Sequence, residues 1–135
     1  MPTDTQAFFE RYAEAYEKYD PKAVAELYFI PAVIMSDDSK DVFTTNADVT
    51  MYVERLMDKL RLIGAAKFNP DVCQTMRLSE NILFSNVKWD FSTEDNQLIF
   101  SCFVSYTLQS IDGELKVVVT VMDDEEREIA KVLGS

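Results

Sequence analysis

The absence of histidine from this 135-residue sequence limits the acid–base chemistry available to it. Without imidazole, Ser-His and Cys-His nucleophilic systems and His-ligated metal sites are excluded. Proton transfer then falls to carboxylates, tyrosines, lysines or cysteines. Tyr12 and Tyr16 are candidates because a tyrosine whose ring is buried still presents a polar hydroxyl, which would reach a cavity beside the ring.

Four polar residues interrupt the covered, apolar face of a predicted sheet: Gln74, Ser85, Tyr106 and Asp123. Several polar groups that converge on one concave face are typical of a ligand pocket. The alternative for each is a hydrogen bond to backbone or to a buried water. Trp89 and Cys102 lie on the same face. Trp89 is more typical of a core aromatic than of a platform on which a ligand stacks. The predicted ligand-binding set comprises Tyr12, Tyr16, Gln74, Ser85, Trp89, Cys102 and Tyr106.

Metal and thiol chemistry have weaker support in the sequence. Asp37, Asp38 and Asp41 offer the oxygen ligands that a divalent cation prefers, but aspartates in a polar loop are typically solvated turn residues, so no metal site is predicted. Cys73 and Cys102 are interpreted as buried, reduced thiols, with a disulfide between them as the alternative. No basic residue near Cys102 in sequence would lower the pKa of its thiol.

The clearest structural signal is a hairpin from Leu98 to Met122. Asp112-Gly113 is the kind of pair that tolerates positive φ in a two-residue turn. If residues 111 and 114 pair, one face of both strands is almost entirely apolar. That face would contain Leu98, Phe100, Cys102, Val104, Tyr106 and Leu108, then Leu115, Val117, Val119 and Val121.

Helical periodicity precedes the strands. A capping box at 3–6 opens a helix, Asp20-Pro21 opens a short one (KAVAELYF), and a second capping box at 45–48 opens a long one ending near Gly64. A brief strand is predicted over 32–35, and later strands over 67–79, 82–92, 97–109 and 114–123, followed by a short C-terminal helix. The order predicts one α+β domain over residues 1–135, with three N-terminal helices packed on a strongly curved antiparallel sheet.

Three segments carry a resemblance to a known family: FFERYAEAYEKYDPKAVAELY, PAVIM and NADVTMYVERL. In order and spacing they resemble the nuclear transport factor 2-like superfamily over roughly residues 4–124. This superfamily includes ketosteroid isomerases, scytalone dehydratases, limonene epoxide hydrolases and SnoaL-like cyclases. The resemblance implies a cone-shaped, cystatin-like α+β fold with an internal cavity, and it implies no bound cofactor.

The comparison with the isomerases also suggests catalytic candidates. Arg11-Tyr12 stands where the family has the tyrosine of its oxyanion hole. The family's general-base aspartate falls on Ser36, with Asp37 one position later, and Asp123 is the candidate for its second aspartate. The histidines of the dehydratases and SnoaL-like enzymes are absent. The resemblance therefore implies Tyr12, Asp37 and Asp123 as catalytic candidates.

The charge balance argues against polyanionic partners. The chain has 24 Asp and Glu against 13 Lys and Arg, a formal net charge of −11. That charge repels phosphate backbones and anionic lipid, so neither nucleic-acid nor membrane-surface binding is predicted. The N-terminal sequence MPTDTQAFF has no features of a secretion signal, and a cytoplasmic location is expected.

The opposite face of the predicted sheet suggests a partner. Ile99, Phe103, Val118 and Met122 would make this face too apolar to stay in water. The family resemblance implies a two-fold homodimer through this surface.

Three classes of function follow from the sequence. One is a protein that binds a small apolar or ring-containing molecule in the cone. A second is a cofactor-independent isomerase, dehydratase or cyclase that uses tyrosine and carboxylate chemistry. A third is a protein-interaction module that acts through the outer sheet face. An inward carboxylate with a raised pKa would favour the enzyme, whereas a filled cone would favour the interaction module.

Overall fold

A computed structural model describes residues 4–123 and 125–134. The helices lie against one face of a single curved sheet, which confirms the predicted α+β class; this covered face is called the inner face below. The elements in chain order are α1 (Thr5–Glu17), α2 (Pro21–Ala25), β1 (Tyr28–Met35), β2 (Lys40–Phe43), α3 (Asn46–Leu62), β3 (Lys67–Ser79), β4 (Ile82–Ser92), β5 (Leu98–Ile111), β6 (Glu114–Met122) and α4 (Glu125–Gly134).

Side-chain caps set the beginnings of the first three helices. Asp20 accepts a hydrogen bond from the Ala23 amide with Pro21 in the first turn, and Thr45 caps α3 in the same way, as the sequence predicted. Helix α1 begins differently, because the carboxylate of Asp4 accepts from the Ala7 amide. The predicted cap Thr3 lies outside the described residues. No helix in the described ranges is long and apolar enough to cross a membrane.

The sheet has the strand order β2-β1-β6-β5-β4-β3. Neighbouring strands are antiparallel with one exception, since β1 runs parallel to β6. Strand β1 begins at Tyr28, whereas the sequence placed Tyr28 in the second helix; that helix ends at Ala25. The short segment between Ala25 and Tyr28 therefore turns the chain from the helical layer into the sheet and places Tyr28 on the inner face.

The β5–β6 hairpin forms as predicted at its turn and differs further along. Ile111 pairs with Glu114, and Asp112 and Gly113 have φ of +53° and +82°. The register then shifts between Thr107 and Leu108, so that β6 contains one extra residue, Val118, opposite this step. Because a bulge reverses the alternation of facing, the remaining residues of β6 exchange faces relative to the prediction. Thr120 and Met122 are buried on the inner face, and Val121 is exposed.

Two bulges of the same kind lie in β3. Extra residues at Leu78 and Cys73 leave Thr75 opposite Ser85 and Gln74 opposite Asn86. The segment between the two bulges therefore has its facing reversed, and the prediction that Gln74 faces inward is wrong: Gln74 is exposed on the outer face.

The cysteines are both free thiols. Cys102 is buried on the inner face as predicted, while Cys73, at a bulge on the edge strand, is exposed rather than buried. The disulfide alternative is therefore excluded in this structure.

Candidate functional site

An internal cavity of about 30 Å³ lies between the helices and the inner face of the sheet. A volume of about 10–15 Å³ on this measure holds one water molecule, so the space fits about two or three waters. Ligand pockets are typically about 300–1,000 Å³. The cone is thus almost filled by its own side chains. The cavity is lined by Tyr12, Tyr16, Tyr28, Ile34, Tyr52, Leu56, Leu60, Phe68, Trp89, Phe91, Val104, Tyr106, Thr120 and Met122.

Three buried hydroxyls form a hydrogen-bonded chain along one wall of the cavity. Tyr12 Oη lies 2.8 Å from Tyr28 Oη, and Tyr28 Oη lies 3.2 Å from Thr120 Oγ1. The three residues come from α1, β1 and β6, so the chain depends on the assembled fold and not on a local sequence motif. A ligand oxygen that reached this wall would find hydroxyl groups that both donate and accept.

A second polar pair adjoins this chain. The indole Nε1 of Trp89 donates to Tyr106 Oη over 2.9 Å. Tyr106 on β5 is the cross-strand neighbour of Thr120 on β6, and its ring centroid lies 5.8 Å from that of Tyr12. The hydroxyl chain and the Trp89–Tyr106 pair therefore lie together, within one cluster of aromatic side chains.

Burial controls the protonation of the central tyrosine. It raises the pKa of Tyr12 well above its ordinary value, and the neighbouring hydroxyls of Tyr16, Tyr28 and Tyr106 raise it further. Tyr12 is therefore neutral at physiological pH and can act as a hydrogen-bond donor. Among the residues that line the cavity, all of them in the described ranges, none is Asp, Glu, Lys or Arg. The site is uncharged.

Four of the seven residues predicted to bind a ligand line this cavity, namely Tyr12, Tyr16, Trp89 and Tyr106. Ser85 is buried on the inner face but lies outside the lining. Its hydroxyl is 3.1 Å from that of Thr75, which is in turn 3.0 Å from the hydroxyl of Thr5. Ser85 therefore bonds to a neighbouring side chain of the sheet, Thr75, which in turn bonds to the start of α1; the partner is neither the backbone nor the buried water that the alternative predicted.

The carboxylates proposed for catalysis lie outside the cone. Asp37 and Asp123 are exposed and border a separate surface pocket together with Ser36, Asp38 and Arg127. Strand β1 ends at Met35, so Asp37 follows in the loop and does not extend the inner face. The structure therefore does not bring Tyr12 together with either aspartate. In the described part of the chain, no three Cys, Asp or Glu side chains are arranged to hold a metal ion.

Sequence reasoning missed two members of the hydroxyl chain, Tyr28 and Thr120. Tyr28 was assigned to a helix, although the β-branched and aromatic residues that follow it suit a strand. Alternation with Val119 and Val121, both predicted to face inward, places Thr120 on the outer face, because no signal in the sequence reveals the bulge at Val118. Gly64, in contrast, ends α3 with φ of +79°, as expected of a glycine terminator.

The sequence matches the model of the family described as NTF2-like protein (DUF6841) over residues 3–125. The chain belongs to this family. The fold that the sequence resemblance implied is thereby confirmed. No curated protein sequence matches this NTF2-like protein significantly.

Solved structures show the same fold at low sequence identity. Aln2 from a Streptomyces species is 14% identical with a TM-score of 0.74, covering 97% of this chain and 99% of that chain. An NTF-2 like protein of unknown function from Shewanella oneidensis is 15% identical with a TM-score of 0.73, covering 92% and 100%. A domain of unknown function with a cystatin-like fold from Nostoc punctiforme is 8% identical with a TM-score of 0.70, covering 96% and 92%. At these identities the likeness shows the fold alone.

Proposed function

We propose that this NTF2-like protein binds a small, apolar, ring-containing molecule inside the cone. The observation that carries the proposal is the buried chain of hydroxyls from Tyr12 to Thr120 on the wall of an otherwise aromatic, uncharged cavity. Such a site suits a ligand with a flat ring and one neutral oxygen, such as a phenol or a ketone. Tyr12, which stays protonated, donates to that oxygen.

Binding requires the cone to open. The cavity of about 30 Å³ is smaller than any ring compound, so a ligand has to displace side chains that line it. Met122 suits such a role because methionine has three rotatable bonds and fills irregular spaces. The bound state is then one in which the ligand's ring takes the place of protein side chains against the aromatic wall.

The enzyme alternative has a proton donor but lacks a base. Tyr12 supplies the hydroxyl that an oxyanion hole needs, whereas Asp37 and Asp123 are exposed outside the cone. An isomerase or dehydratase also needs a group within hydrogen-bond reach of the proton it removes. The described lining of the cavity contains no carboxylate, amine or thiol. Binding is therefore the function that we propose.

Assembly through the outer face is a second proposal, supported by an uncharged part of that face. Two cross-strand rows cross five strands without a charged residue. We call these the neutral rows: Met76, Phe84, Thr107, Val119 and Val33, then Gln74, Asn86, Ser105, Val121 and Met35. For a chain of net charge −11, a second copy is most easily accommodated where neither copy presents charge.

The composition of the predicted dimer face needs two corrections. Phe103, 41% exposed, and Val118 are compatible with the outer face, whereas Ile99 is the extra residue of a bulge in β5 and packs against the core. Met122 is 4% exposed and lines the cavity, because the bulge at Val118 turns it inward. We therefore propose a homodimer centred on the neutral rows. We also propose that the chain is a single domain and that it is cytoplasmic, because its two free thiols suit a reducing compartment.

The test of ligand binding is a titration with naphthol, followed by thermal shift and by the fluorescence of Trp89, the single tryptophan. Saturable stabilisation with a change in Trp89 emission is expected. Tyr12→Phe should weaken the affinity by about three- to tenfold, the value of one net hydrogen bond. Tyr19→Phe is the matched control, because the Tyr19 hydroxyl bonds to the Ala65 carbonyl outside the cavity. Absence of saturable binding would overturn the proposal.

A further inference from the structure

A groove of about 420 Å³ runs along the surface between α3 and α4. It is as large as a typical ligand pocket, in contrast to the internal cavity. Its floor is apolar, and its rim carries charged side chains. The groove is lined by Asp41, Tyr52, Arg55, Leu56, Lys59, Met122, Ile129, Ala130 and Leu133.

The groove and the internal cavity are separated by a wall one side chain thick. Tyr52, Leu56 and Met122 line both spaces. Of the fourteen residues that line the cavity, twelve are buried, and the two that are partly exposed are Tyr52 and Leu56. The weakest part of the cone wall is therefore the part that faces the groove.

The contact that closes this wall is a weak one. Tyr52 Oη donates to the thioether sulfur Sδ of Met122 over 3.7 Å. A thioether is a poor acceptor, and the side chain of Met122 adopts other rotamers easily. Rotation of these two side chains would join the groove to the cavity, and for Tyr52 it would also break the contact with the ring of Phe43.

Two cations stand at the rim of the groove. Arg55 and Lys59 are exposed and lie one helical turn apart on α3, where side chains at i and i+4 are neighbours. Within the described residues the one ion pair is Arg61 with Asp58, so neither cation is paired there. Among the described residues that line the groove, Arg55 and Lys59 are accompanied by one acidic residue, Asp41. These described lining residues therefore carry a net positive charge, on a chain whose formal net charge is −11.

We propose that the α3–α4 groove is the entrance to the cone and that Arg55 and Lys59 bind an anionic group of the ligand. The proposal rests on the proposed function: the apolar ring passes Tyr52 and Met122 into the cone, and the anion stays in the groove. The ligand class is therefore an amphipathic molecule, an aromatic or alicyclic ring with a carboxylate, sulfonate or phosphate at one end. The acidic surface elsewhere repels such anions, so Arg55 and Lys59 also direct them to the entrance.

The test compares naphthoate with naphthamide by isothermal titration calorimetry. The two compounds have the same ring and a planar substituent of similar size, and they differ in charge at neutral pH. The double substitution Arg55→Gln with Lys59→Gln should weaken naphthoate binding by about five- to tenfold, as expected for two exposed ion pairs. Naphthamide binding should be unchanged. Added salt should weaken the binding of naphthoate to the wild type and leave naphthamide unaffected.

The matched control is the double substitution Lys18→Gln with Lys22→Gln. It makes the same change in net charge at two exposed positions away from the groove, at the end of α1 and in α2. It should leave the binding of both compounds unchanged. If naphthamide binds and the groove substitutions weaken both compounds equally or neither, the anion site is overturned while the proposed function stands. If both double variants weaken naphthoate equally, net charge explains the effect and the site is also overturned. If neither compound binds the wild type, the proposed function fails, and the entrance fails with it.

Discussion

The chemical character of Tyr12 follows from its position between its own helix and three strands of the sheet. Its ring contacts aromatic residues of α1, β1, β4 and β5, and its hydroxyl bonds to Tyr28. A hydroxyl in this position is dehydrated, which disfavours the phenolate and keeps the proton on oxygen. Tyr12 therefore suits donation to a neutral ligand oxygen and does not suit proton abstraction.

The raised pKa of Tyr12 predicts a loss of stability at high pH. The unfolded chain releases this proton near the ordinary tyrosine pKa of about 10, whereas the folded chain retains it. The contribution of Tyr12 to the free energy of unfolding is thus complete below that pH and falls as pH rises towards the folded pKa, by up to about 1.4 kcal/mol per pH unit. Urea unfolding from about pH 8 to pH 11 should show a shallower decline for Tyr12→Phe than for wild type. Parallel curves would contradict this account.

Residue by residue, the sequence predicts the aromatic part of the site better than its polar part. Tyr12 and Tyr16 follow from the helical period of α1, and Trp89 and Tyr106 from alternation along β4 and β5, so all four are found on the cavity wall. Local periodicity does not predict Tyr28 or Thr120. Their facing is set by a helix end and a bulge, which depend on packing across the sheet.

At the scale of elements, four bulges explain where the predicted facing failed. Each adds one residue to a strand, at Cys73, Leu78, Ile99 and Val118, and the bulge at Ile99 leaves Leu98 exposed rather than on the inner face. Turn residues identify hairpins well, as Asp112-Gly113 does, but a bulge has no comparable composition and is inserted where the sheet must bend. Because each of the two bulges of β3 reverses the facing once, the residues before Cys73 face as predicted. Val72 therefore packs against the core.

Gln6 joins α1 to the edge of the sheet. Its side-chain amide donates to the Pro70 carbonyl over 2.9 Å and accepts from the Val72 amide over 3.1 Å, so it occupies the edge of β3 as a neighbouring strand would. The sequence predicts Gln6 as the last residue of a capping box; in the structure its side-chain amide bonds to β3 instead, and the helix is capped by Asp4. Because truncation leaves two partly buried backbone groups unpaired, Gln6→Ala should lower the free energy of unfolding by about 1–3 kcal/mol.

The control for this prediction is Glu14→Ala, an exposed position on the same helix. Alanine has the higher helix propensity, so the control should be neutral or slightly stabilising. Urea unfolding of both variants measures the difference. A loss for Gln6→Ala no greater than that for the control would show that the contact with β3 contributes nothing to stability.

At the scale of the whole molecule, the neutral rows predict the oligomeric state. Val121, 40% exposed, lies in these rows and next to Ser105. Val121→Asp should convert a wild-type dimer to a monomer, because two carboxylates would be buried across a two-fold axis. Light scattering measures this directly. Leu62→Asp is the control, since Leu62 is 74% exposed at the end of α3. A monomeric wild type, or a Val121→Asp variant that stays dimeric, would overturn this interface.

The nearly filled cone places affinity and stability in opposition. If the binding-competent state is the minor, opened one, the measured affinity is the intrinsic affinity reduced by the fraction of molecules that are open. Leu60→Ala would create space in advance at a fully buried position on the cavity wall. We expect it to lower the free energy of unfolding by about 2–5 kcal/mol and yet to tighten naphthol binding, measured by calorimetry. Weaker binding by this variant would mean that the ligand does not occupy the cone. Under the proposed function, the side chains that fill the cone compete with the ligand for the same space, so selection for stability alone would weaken the binding of that ligand.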